Sequence, residues 1–213
     1  LILKEMDSGG SITPQDAKRI YHELLSLGIA TKSRTYSHVL RGSFTIYTPN
    51  NTPMTAFLFY ELPPNELDEI NEDYRVRYGY DAIIEPASGT YNCHSYAWYI
   101  TENPLNYTSC WLNRSIVDSS CEDILAEYWR DGSFHMVETE AEAVKIYYGN
   151  GDHSAVKASE PNYYISKMGL GPLVKHLPHN VDYDLGDMRY YAYGSGTVQR
   201  DTTIRHEDEI IGN

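Results

Sequence analysis

Hydrophobic positions along this chain change their period from one stretch to the next, and the changes mark out the elements. Ala17, Ile20, Tyr21, Leu24 and Leu27 recur at helical spacing. Thr13 can cap that run, Pro14 suits a first turn, Asp16 favours the positive helix end and Gly28 stops it, so a helix is predicted over 14–27. Ser43 to Tyr47 alternates, and residues 55–62 do so in part. Pro49-Asn50-Asn51-Thr52-Pro53 between them reads as the turn of a hairpin, which Pro63-Pro64 ends. Residues 65–80 are charged and tyrosine-rich, which suggests a short helix and then a linker.

A loop through Pro86, Ser88 and Gly89 leads into Cys93-His94-Ser95-Tyr96-Ala97-Trp98-Tyr99-Ile100, which reads as a helix. Asn92 or Thr90 can cap it, and Asn103-Pro104 ends it. A second helix is predicted near 120–130. Ser119 and Glu122 there form a capping-box pattern, and Ile124, Leu125 and Tyr128 supply the apolar face. Beyond Asp131-Gly132 the period becomes two. Val144, Ile146 and Tyr148 form one run; His153 and Ala155 open the next, after the turn Gly149-Asn150-Gly151-Asp152. Later strands are predicted over 162–168 and 188–193. The order gives an α+β fold, with helices packed on an antiparallel meander. The division expected is 1–84 as an N-terminal α/β extension of helix plus hairpin, and 85–213 as the main domain.

Composition narrows the function classes. The chain has 213 residues, enough for one substantial domain, and a formal net charge of −13. Such a surface has no electrostatic footprint for nucleic acid or an anionic membrane, and no basic cluster intervenes. No stretch reaches the roughly 18 apolar residues of a spanning helix. Tyrosine is abundant, 20 copies against 4 Phe, and is expected in half-exposed strands in place of Phe.

Three cysteines, Cys93, Cys110 and Cys121, leave at least one thiol unpaired. Cys110 and Cys121 either bridge, which implies an oxidising compartment, or stay reduced. Three Asn-X-Ser/Thr patterns, at Asn50, Asn106 and Asn113, are of the kind that arises often by chance.

Cys93 is the candidate nucleophile. A thiol attacks as its thiolate, and both a helix N-terminus and a neighbouring imidazolium favour that form. Its own backbone N–H, with Asn92 as a further donor, suits a developing oxyanion. His153, at the head of a strand after a glycine-rich turn, is the preferred base. His94 is the rival, disfavoured because adjacent helical residues point about 100° apart. Ser166, on the following strand, is the first candidate to orient the imidazole, with His176 and Glu160 as alternatives. Asp152 is expected on the opposite side. The histidines show no metal-ligand spacing, and Gly169-Leu170-Gly171-Pro172 reads as a turn rather than a phosphate cradle, so no metal or cofactor is implied.

At these residues the chain resembles the NlpC/P60 and CHAP amidases, papain-like cysteine hydrolases. Tyr91-Asn92-Cys93-His94-Ser95-Tyr96-Ala97-Trp98 is similar to their nucleophile helix. Gly151-Asp152-His153-Ser154-Ala155-Val156 is similar to their second motif, a Gly-Asp turn leading to the histidine. Where the papain strand ends Asn-Ser-Trp-Gly, this chain has Ser166-Lys167-Met168-Gly169, a departure that puts Ser166 at the third position. The resemblance covers roughly 85–195. It implies a papain-like core with a nucleophile helix on an antiparallel sheet, and amide hydrolysis through a thioester. It further implies a peptide or peptidoglycan-type substrate and a secreted or cell-surface location. An acyltransferase or transglutaminase-like enzyme on the same Cys-His pair, and a non-catalytic binding protein that kept the fold, are the competing expectations.

Overall fold

The computed structural model describes residues 38–113 and 121–195. The helix predicted over 14–27 lies outside them, as does Ser119. The predicted hairpin is present. Strand β1 (Leu40–Tyr47) pairs antiparallel with β2 (Pro53–Phe59). Its turn bends through Asn51 at φ 65, a left-handed conformation that asparagine tolerates. The charged stretch that follows is one 15-residue helix, α1 (Pro64–Tyr78), with a proline in its first turn and Gly79 at φ 83 closing it.

The main sheet has seven antiparallel strands in the order β3-β8-β7-β6-β5-β9-β4. These are β3 (Ile83–Glu85), β4 (Phe134–Val137), β5 (Lys145–Tyr148), β6 (His153–Lys157), β7 (Tyr164–Lys167), β8 (Leu173–His176) and β9 (Met188–Tyr193). Strands β5 to β8 are consecutive neighbours joined by tight turns, whereas β3, β4 and β9 come from distant parts of the chain. The mixed α+β class and the antiparallel meander therefore stand. β3 pairs with β8, so residues just before 85 belong to the sheet. The hairpin's inner face, Ile46, Met54 and Ala56, joins the same buried cluster as Trp98.

Both faces of the sheet are covered, which is why all four residues of β5 are buried instead of alternating. One face carries Lys145, Tyr147, Ser154, Val156, Ile165, Lys167 and Leu173. It packs on helix α2, which begins at Cys93–Ser95 and continues as a π-helical segment through Tyr96–Ile100. Trp98 is the anchor, fully buried, with ring centroids of Phe134, Tyr191 and Tyr128 at 5.1, 5.4 and 5.6 Å. Removing such a ring costs about 3–5 kcal/mol. Helix α3 (Glu122–Arg130) buries Leu125 and Tyr128 beside it. The far face carries Ile146, Tyr148, Ala155, Tyr164 and Val174, covered by Val181, Tyr183 and the C-terminal turn of α1. Tyr128, Tyr147, Tyr148 and Tyr164 are fully buried, so these tyrosines are core residues and not the half-exposed ones expected. Among the described residues no helix is long and apolar enough to cross a membrane.

Candidate active site

Cys93 opens α2. Asn92 is the cap: its Oδ1 accepts from Ser95 N at 3.0 Å, and Ser95 Oγ accepts in return from Asn92 N at 3.2 Å. Asn92 Nδ2 donates to Asn113 Oδ1 at 2.9 Å. Asn92 therefore sets the start of the helix, with its amide oxygen on Ser95 N and its amide nitrogen on Asn113. The N–H groups of Cys93 and His94 sit in the first turn, where no carbonyl of the helix reaches them. The Cys93 side chain is buried, 5% exposed.

The imidazole that meets thiol chemistry is His94, not His153. His94 Nδ1 lies 2.9 Å from Ser154 Oγ, which also accepts from Trp98 Nε1 at 2.9 Å. Its Nε2 lies 3.6 Å from Asp152 Oδ1, and the ring lies in the field of the Cys121 and Cys93 thiols. Burial alone pushes His94 down. The charges of Cys121 and Cys93 and the nearby Asp152 carboxylate reverse that, leaving the imidazole well above its ordinary value. Burial raises Asp152, but the imidazole of His94 beside it, with hydrogen bonds from Cys121 N at 2.9 Å and Tyr147 Oη at 3.1 Å, holds the carboxyl below its usual range. Asp152 is thus on His94's side, opposite the face to which His153 projects. The 100° offset between Cys93 and His94 is real, yet the partners of His94 come from the β5–β6 turn and the start of α3, which helix geometry alone does not reveal.

His153 is placed differently from the expectation. Successive strand residues face opposite ways, and Ser154 faces α2. His153 therefore projects to the far face, where its ring stacks on Tyr183 at 3.8 Å and lies 5.6 Å from Tyr148. Neither ring nitrogen has a hydrogen-bond partner, so no bond joins it to Cys93. Burial and the neighbouring His176 and His94 keep it well below its ordinary value, and neutral.

Ser166 and His176 share that far face and bond to each other, Oγ to Nε2 at 2.8 Å, with His176 Nδ1 on Leu177 O at 2.8 Å. They do not orient His153. Glu160 is half exposed and pairs with Lys175 at 2.7 Å, away from any thiol. Cys110 and Cys121 do not bridge; all three cysteines are free and buried. Among the described residues no group of three or more His, Cys, Asp or Glu is arranged to hold a metal ion.

Sequence reasoning missed Cys121, Asp152 and Ser154 as partners of His94. It also missed Lys167, fully buried with its Nζ on the carbonyls of Ser88, Gly169 and Gly171 at 2.7, 2.7 and 2.5 Å. The signal available was a lysine on the inner face of an otherwise apolar strand. A cleft of about 250 Å³ opens between α1 and the β7–β8 turn, lined by Ile70, Asp73, Tyr74, Arg77, Met168 and Leu170. Its wall includes Gly171, whose carbonyl holds Lys167. Comparison of the chain with protein-family models, with curated proteins and with solved structures finds no match.

Proposed function

We propose that this protein is a cysteine-dependent amide hydrolase, with a papain-like arrangement of nucleophile helix on antiparallel sheet. The observation that carries the reading is His94: one buried imidazole in contact with a carboxylate and in the field of two thiols. A nucleophile, a base and a group that orients the base are the requirements of covalent acyl transfer. Cys93 is the nucleophile, because its thiol stands at the start of a capped helix, beside N–H groups free to meet an oxyanion.

In this mechanism the thiol proton rests on the His94 imidazole, which Asp152 and Ser154 hold. The Cys93 thiolate adds to an amide carbonyl and forms the C–S bond. The C–N bond breaks as the leaving amine takes the proton from His94. Water then adds to the thioester, gives its proton back to His94, and releases the acid and the thiol. Peptides are the substrate class, with cell-wall peptides first and a secreted or surface setting to match. Transfer to an amine instead of water uses the same acyl-enzyme.

A second reading takes Cys121 as the nucleophile, favoured by His94, whose charge opposes the rise that burial imposes on that thiol. Single variants separate the two, assayed by mass spectrometry on peptidoglycan fragments and on a protein library in parallel. Cys93→Ala is expected to abolish hydrolysis with the fold intact, and His94→Gln to lower it by about 10²–10⁴-fold. His153→Gln is expected to leave turnover near wild type. Full activity in Cys93→Ala with loss in Cys121→Ala would transfer the role to Cys121. Full activity in both would end covalent catalysis here.

A further inference from the structure

His153 is fully buried on the far face of the sheet, and neither of its ring nitrogens has a hydrogen-bond partner. A neutral imidazole always carries one N–H, so the closed structure already leaves a buried donor unpaired. The imidazolium carries two, and a charge besides, which makes it far costlier in the same place. The cover over this ring is the segment 177–187, between β8 and β9. Tyr183 stacks on His153, 3.8 Å between centroids and 8° between planes. Most of the segment is exposed, and only Pro178 and Val181 are buried. A segment with so few buried apolar contacts opens at low cost.

The same segment props the turn between β5 and β6. Gly149 N donates to Asp187 O at 2.7 Å, and Tyr148 Oη donates to Pro178 O at 2.8 Å. A Cβ added at Gly151 would stand 2.7 Å from Tyr183 Cβ and 3.0 Å from Asp184 N, so a glycine is what lets the two stretches lie this close. The next residue, Asp152, is the carboxylate beside His94. Tyr183 therefore touches both the orphaned imidazole and the turn that seats Asp152.

We propose that segment 177–187 is an acid-released strap, which closes over a neutral His153 and lets go when that imidazole takes a proton, loosening the turn that carries Asp152. Its effect on catalysis rests on the reading of His94 as the base; the strap itself does not. The titratable groups facing His153 are Tyr148 of β5, His176 of β8, Tyr183 of the strap and, through the sheet, His94 of α2. Strand β7 adds Ser166, which does not titrate and is bonded to His176. Around Tyr183 stand Tyr74 and Tyr78 of α1 and Asp182. The strap's carboxylates are engaged: Asp182 with Arg77 at 3.4 Å, Asp184 with Gly186 N at 2.7 Å and Asp187 with Arg189 at 3.0 Å. Its own histidine, His179, is exposed. Burial, and then the like charges of His176 and His94, keep closed His153 well below its ordinary 6.5. The opened form takes the proton at that ordinary value, so closure holds fully above it and is lost progressively as pH falls below it.

Hydrogen exchange read by mass spectrometry on the full chain, corrected for the intrinsic pH dependence of exchange, tests this. Protection of peptides spanning 177–187 is expected to fall about 30-fold from pH 7.5 to pH 5.0. His153→Phe keeps a ring on Tyr183 and takes no proton, so its protection is expected to change less than about threefold. An equal fall in both proteins, or none in the wild type, overturns the proposal. If His153→Phe does not fold, the NMR titration of the wild-type His153 imidazole decides. Proton uptake in step with the loss of protection upholds the strap, and a midpoint apart from it overturns the strap. Hydrolysis across the same pH range separates the two readings. Release in a protein that never hydrolyses ends the proposed activity and keeps the strap; hydrolysis from a protein whose strap stays protected in acid does the reverse.

Discussion

Two lysines reach into the same face of the sheet with fully buried ammonium groups, and they are compensated in different ways. Lys145, on β5, lies 2.6 Å from the equally buried Glu102, and also donates to Ala97 O and to Thr101 Oγ1 at 3.2 Å. It fastens the C-terminal end of α2 and the residues after it. Lys167, on β7, fastens the approach to the N-terminal end of the same helix, with carbonyls alone. Burial lowers both lysines, and Glu102 raises Lys145 back where Cys93 does so for Lys167. The contrast teaches that a buried cation can be held beside a carboxylate or by backbone carbonyls. The anion beside it distinguishes the two cases better than its depth does.

Breaking the Lys145 pair is the largest test. Lys145→Met removes the buried cation beside the Glu102 carboxylate, so urea unfolding should show a loss of about 3–5 kcal/mol. The second test is pH. The unfolded chain holds the lysine proton up to the ordinary value of 10.5, whereas folded Lys167 releases it near 7. The unfolded state therefore binds more protons through that window, and stability rises with pH by up to about 1.4 kcal/mol per unit. Buried thiols and tyrosines titrate in the opposite sense, so the slope is read as wild type minus Lys167→Met, which should retain the rise. The smallest effect belongs to the exposed pair Lys175–Glu160. There Glu160→Ala should shift stability by less than about 1 kcal/mol and leave hydrolysis unchanged.

The hairpin, the cap at Asn92 and the strand over 188–193 were legible because each carries its own local signal. Proline and asparagine mark the turn, a polar residue precedes an apolar run, and tyrosines alternate. Strands β4 and β8 were not: β4 comes directly after the Asp131-Gly132 helix stop and mixes a histidine into four residues, and β8 follows a Gly-Pro read only as a turn. The site failed at a finer point. Which way His153 faces depends on one residue of register, and that is set by a turn with Asp152 at φ 43. Slipping by one residue exchanges His153 for Ser154. The periodicity of the strand is the same either way, so alternation gave the strand and withheld the side.

The order of the strands has a consequence for when the loop before Cys93 is put in place. β5 to β8 zip up from neighbouring hairpins, whereas β3 must close on β8 across about ninety residues and β4 on β9 across about sixty. Long loops close late, because their entropy is lost before their contacts repay it. Ser88 and the approach to Cys93 come in with β3. A nascent or partly assembled chain thus carries a meander already formed, while the surroundings of Cys93 are completed only once the last edge has docked.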